Sequence, residues 1–75
     1  MKKSAASEKP LKVRFAENLK EIRVGRKLPQ EGLAAKSGFS TSYVSMLERG
    51  TRAPTLDTIE RFASALDVLP LEMLE

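Results

Sequence analysis

Between Gln30 and Arg49 the chain reads QEGLAAKSGFSTSYVSMLER, and this segment leaves few folds open. Apolar residues fall at Leu33, Ala34, Phe39, Val44 and Leu47, with Gly38 dividing two short runs of helical spacing. A glycine that closes one helix in a left-handed turn, followed at once by a second helix, sets the pair at roughly 90–120° to one another. Ala34 supplies the small residue that so close a crossing needs. This is the spacing of a helix-turn-helix, and it predicts a second helix carried outward to where it can lie in a DNA major groove.

The flanking sequence predicts helices as well. Phe15, Leu19 and Ile22 recur at i, i+4 and i+7, giving a first helix from about Leu11 or Lys12 to Arg26, with Gly25 weakening its last turn. Pro29 opens a second helix, Gln30 to Ser37. Ser40 caps a third, about Thr41 to Arg49, and Gly50 ends it. Thr55 caps a fourth, Leu56 to Leu66, with Ile59, Phe62, Ala63 and Leu66 as its apolar stripe. A fifth short helix starts near Pro70. No stretch alternates as a strand would. The expectation is an all-α, five-helix domain over residues 11–75, preceded over residues 1–10 by a basic, flexible arm without periodicity.

With 75 residues, the chain holds one small core. It contains neither cysteine nor histidine, which removes disulfides, zinc–thiolate clusters and the commonest general base. No nucleophile–base pair and no phosphate-cradling glycine loop is present, so no catalytic residue, metal site, cofactor or small-molecule ligand is expected. The apolar runs fall short of the roughly 18 residues that span a bilayer, and no signal peptide is visible, so the expectation is a cytoplasmic protein with no membrane partner. Residues 1–52 hold twelve Lys/Arg against five Asp/Glu, whereas residues 53–75 hold one against five. The imbalance suits a polyanion facing one end of the molecule, although a solvated surface with a basic tail would show the same tally.

If Val44 and Leu47 face inward, Thr41, Ser42, Ser45, Met46 and Arg49 project outward or toward the groove rim, as candidate base contacts. The hydroxyls can donate to or accept from base edges, and Met46 can pack on a thymine methyl. The short side chains offer no bidentate fork, so DNA shape is expected to share the readout. Tyr43 on the flank of the third helix, Lys36, and Arg52 in the following loop are candidate phosphate contacts. For Tyr43, a half-buried rim position without a DNA role is the alternative. Leu69, Leu71, Met73 and Leu74 leave more apolar surface than a small core covers, and they are the expected face of a homodimer. Two recognition helices would then sit about 34 Å apart on a near-palindromic double-stranded operator.

The chain resembles the lambda repressor/Cro, or XRE, family of helix-turn-helix proteins over residues 15–74. The similarity is carried by Ile22-Arg23, by Leu28, Gln30-Glu31 and Leu33-Ala34, and by Val44-Ser45, Leu47-Glu48-Arg49-Gly50. Pro54, Leu56, Ile59, Ala63, Ala65-Leu66 and Val68 complete it. The resemblance implies a five-helix domain that binds operator DNA, usually as a dimer. It also implies that Gln30 contacts a phosphate at the start of helix two, and that Arg23 and Glu48 form a partly buried ion pair between helices one and three. The sequence departs from the family at Pro29, where Ser or Thr is usual, at Gly32, where Glu is usual, and at Asp67, where Gly is common. Size and layout are similar to the controller proteins of restriction–modification systems and to compact phage repressors. An antitoxin, or a protein-interaction adaptor using the same helices without DNA, is the alternative.

Overall fold

The computed structural model describes residues 9–75, so most of the expected arm lies outside the described residues. Four α-helices, α1 (Leu11–Gly25), α2 (Gln30–Ser37), α3 (Thr41–Glu48) and α4 (Leu56–Leu66), are followed by a 3-10 helix, Pro70–Leu74. Among the described residues there is no strand. The fold is the all-α, five-helix arrangement that the periodicity predicts. The fifth element is a 3-10 helix rather than an α-helix: five residues beginning with proline give little room for i to i+4 bonding.

Helix boundaries follow from local chemistry. Ser40 Oγ accepts the Tyr43 amide at 3.1 Å, and Thr55 Oγ1 accepts the Thr58 amide at 3.0 Å, so each hydroxyl satisfies an N–H that its helix leaves unpaired. Pro29 stands as the residue before α2, in an extended conformation and without a side-chain cap. α1 ends at Gly25, one residue short of the expected Arg26. The chain turns two residues later at Lys27, whose φ is +57°, with the Leu28 amide reaching back to the Arg23 carbonyl and the Lys27 amide to that of Val24. Asp67 repeats the device after α4 at φ +57°, the Val68 amide bonding the Ala63 carbonyl. In both places a residue with a Cβ occupies the left-handed position that glycine takes most cheaply.

The core forms where α1, α2 and α4 converge behind α3. Phe15, Leu19, Leu33, Val44, Leu47, Phe62 and Leu66 are fully buried in it. Phe62 ties the layers together, with its ring 6.3 Å from that of Phe15 and 5.0 Å from that of Phe39. α2 packs on both α3 and α4, which fixes the angle at which α3 leaves the body.

The 3-10 helix closes the remaining side against α1 and α4. Met73, expected on an interface between protomers, is instead completely buried in the protomer's own core. Its backbone is held as well, since the Asn18 amide donates to the Met73 carbonyl at 3.0 Å. An unbranched thioether fills an irregular gap at the end of a small core well, and that explains the placement. Leu74 is half-buried against the same cluster, whereas Leu69 and Leu71 stay exposed at 69% and 72%.

Candidate nucleic-acid interface

α3 divides its residues as the sequence spacing requires. Val44 and Leu47 are completely buried. On the opposite side Thr41, Ser42, Ser45, Met46 and Arg49 line one open depression, joined by Gln30 from the start of α2. All five candidate base contacts therefore share a surface, and it borders the first turn of the preceding helix. The Arg49 guanidinium folds back along α3 and donates to Ser45 Oγ one turn earlier. Both hydroxyls of Thr41 and Ser42 lie on the exposed first turn, whose unpaired N–H groups favour an anion.

The candidate phosphate contacts divide. Lys36 and Arg52 are exposed, the first on the last turn of α2 and the second in the loop after α3. The Gln30 amide nitrogen donates to Glu48 Oε1 at 3.0 Å. Tyr43 turns away from the depression. Its hydroxyl lies 3.2 Å from Thr58 Oγ1 on α4, and its ring lies 4.9 Å from that of Phe39. Thr58 is buried and receives a further bond from Thr55 Oγ1 at 3.0 Å, so the tyrosine hydroxyl belongs to a seam between α3 and α4. Tyr43 is half-buried at this seam.

Behind the depression, Arg23 and Glu48 meet as a bidentate pair. Arg23 Nε donates to Glu48 Oε2 at 2.6 Å and Nη2 donates to Oε1 at 3.0 Å, while Nη1 bonds the Leu28 carbonyl at 2.8 Å. The two side chains are 11% and 4% exposed. A carboxylate facing DNA would repel phosphate. Here it faces inward and joins α1, α3 and the loop before α2.

Two further arginines carry structural roles that spacing alone does not reveal. Arg26 Nε donates to the Leu66 carbonyl at the end of α4, at 2.6 Å. Arg61 donates to the Ser37 carbonyl at the end of α2, from Nε at 3.2 Å and Nη2 at 2.8 Å. Each sets a cation against the negative end of a helix and satisfies a carbonyl with no partner inside it. The partners are 40 and 24 residues apart, so no local pattern announces them.

A short helix pair crossing at a glycine turn, its second member buried on one face and polar on the other, defines a helix-turn-helix domain. The chain belongs to the helix-turn-helix family HTH_3, which matches residues 19–74. It is similar to an uncharacterized HTH-type transcriptional regulator, y4dJ, of Sinorhizobium fredii, with 44% identity over 57 residues, 76% of this chain and 74% of the relative. The control protein C.BamHI of Bacillus amyloliquefaciens is 35% identical over 66 residues, 87% of this chain and 82% of that one. Among solved structures, the restriction-modification controller protein C.AhdI from Aeromonas hydrophila superposes with a TM-score of 0.80. The identity is 44%, and the match covers 83% of this chain and 94% of that one.

Proposed function

We propose that this chain is a DNA-binding transcriptional regulator that works as a homodimer on a near-palindromic duplex operator. The family is one of DNA-binding regulators rather than enzymes. The single observation that carries the reading is the shared depression of Gln30, Thr41, Ser42, Ser45, Met46 and Arg49, on the one face of α3 that the core does not use. Thr41, Ser42, Ser45, Met46 and Arg49 would meet base edges, while Lys36 and Arg52 would lie over the flanking phosphates. Leu69 and Leu71, exposed at the start of the 3-10 helix, would form the two-fold face. Similarity to the control protein C.BamHI and the controller protein C.AhdI favours a regulator of restriction–modification genes.

Selection of bound fragments from a random duplex pool tests the proposal. The expected product is a palindrome whose half-sites lie one helical turn apart, about 34 Å. The affinity for it should fall steeply as salt rises, because neutralised phosphates release counterions. Enrichment of no duplex, or binding indifferent to salt, would leave a protein-interaction role instead. Sedimentation at tens of micromolar should show a dimer, and a monomer binding DNA one-to-one would remove the two-fold arrangement.

A further inference from the structure

The Gln30 amide is held on one side only. Its nitrogen is 3.0 Å from Glu48 Oε1, and Glu48 is itself 4% exposed and clasped by Arg23 Nε and Nη2. A carboxylate gripped by a guanidinium accepts hydrogen bonds and donates none. The atom turned toward it must therefore be the amide nitrogen, and the usual interchangeability of oxygen and nitrogen in a glutamine side chain does not apply. The carbonyl oxygen and the second N–H are left on the side away from Glu48, and Gln30 lines the depression with Thr41, Ser42, Ser45, Met46 and Arg49.

We propose that Gln30, oriented by Glu48, reads the major-groove edge of an adenine, with Glu48 as its positioning residue. The proposal rests on the DNA-binding reading above. Adenine presents an N6 donor beside an N7 acceptor, the complement of an amide carbonyl beside an N–H. A phosphate oxygen only accepts, so it would use the N–H and leave the carbonyl against a negative charge. The resemblance implied a phosphate contact at Gln30; the fixed amide fits a base edge better. No other side chain in the depression offers the same pair, since the hydroxyls of Thr41, Ser42 and Ser45 are single groups and Arg49 has donors alone. Anchoring on Glu48 also restricts the glutamine before DNA arrives, which lowers the ordering cost of binding. A buried ion pair that serves stability thereby also fixes a reading group at the surface.

The test starts from the site recovered by wild-type selection and substitutes each of its base pairs in turn. Affinity is then measured for wild type, Gln30→Ala, Glu48→Gln and the double variant, with thermal melts giving the folded fraction of each. Gln30→Ala and Glu48→Gln should each weaken binding by roughly tenfold. That loss should disappear when one particular A·T pair in each half-site is replaced, and the double variant should bind no worse than Gln30→Ala. A loss spread evenly over all sites, with the salt slope reduced by about one, would make Gln30 a phosphate contact and overturn the proposal. Additive losses, or a Glu48→Gln variant with the wild-type base preference, would also overturn it. The anchoring is read without any variant from side-chain amide exchange in the free wild-type protein. One Gln30 Nε2 proton should exchange far more slowly than in free glutamine, and two fast protons would refute it. A wild-type chain that selects no duplex overturns this inference and the DNA-binding reading together, whereas a selected site with no adenine dependence overturns this one alone.

Discussion

Arg61 lies over the face of Phe39, its guanidinium carbon 4.0 Å from the ring centroid, while Nη2 bonds the carbonyl that ends α2. One side chain of α4 thus holds both halves of the helix-turn-helix turn, stacking on the residue after Gly38 and closing the helix before it. Arg61→Ala should lower stability by about 1–2 kcal/mol through the lost stacking and the carbonyl left unbonded. Arg61→Lys should recover little of it, because an ammonium has no planar face to lay on the ring. Urea melts of the three proteins check the order.

Two glycines should respond to alanine with opposite signs. Gly38 sits at φ +81°, and a Cβ there would come within 2.5 Å of Arg61 Nη2. Gly38→Ala should cost about 1–2 kcal/mol from the left-handed backbone alone, and more as Arg61 is displaced. Gly25 is the last residue of α1, with nothing within 4 Å of the position its Cβ would take. Gly25→Ala should stabilise the domain by about 0.5–1 kcal/mol. Thermal denaturation of both variants settles the signs.

The Arg23–Glu48 pair should be costly to break from one side. Glu48→Ala leaves a guanidinium that is only 11% exposed without its carboxylate, and the expected loss is about 3–5 kcal/mol. Adding Arg23→Ala should cost less in the Glu48→Ala background than in the wild type, since the charge being removed no longer has its partner. A double-mutant cycle in denaturant gives the coupling directly.

Tyr43 and Thr58 should behave as one unit. Tyr43→Phe and Thr58→Val each remove the bond between their hydroxyls, at about 0.5–1.5 kcal/mol apiece. The double variant should fall short of the sum. Because the hydroxyl points to α4 rather than to the depression, Tyr43→Phe should leave affinity for the selected duplex within about twofold, whereas a phosphate-bonding tyrosine would show a larger loss. Equilibrium unfolding and a binding titration separate the two.

Asp67 is the C-cap residue of α4 and stands in the left-handed region at φ +57°. Asp67→Gly should therefore raise stability by about 0.5–1 kcal/mol, as the strain of a left-handed residue with a Cβ is relieved. A higher midpoint with an unchanged denaturant slope would mark the gain as belonging to the native state.

The elements that sequence spacing located are those governed by near neighbours. Gly38, Ser40 and Thr55 each act within a few residues, and α2 and α4 run as those residues predict. The outward face of α3 was legible for the same reason, because Val44 and Leu47 fix the helix phase. The polar partners of long side chains were not. Arg26 finds Leu66, Arg61 finds Ser37 and Gln30 finds Glu48 only after the helices have docked. The turn at Lys27 is not legible either, because lysine carries no signature of a left-handed backbone. Met73 looked like surface because volume left at the end of a core cannot be read from periodicity.

The chain has a single tyrosine and no tryptophan. Its tyrosine emission, and much of its near-ultraviolet dichroism, therefore originate at the seam where Tyr43 meets Phe39 and Thr58. The molecule carries a native optical gauge of how α3 sits on α4. A titration with duplex that leaves the signal unchanged describes rigid docking, and a change in it reports the recognition helix shifting against its support.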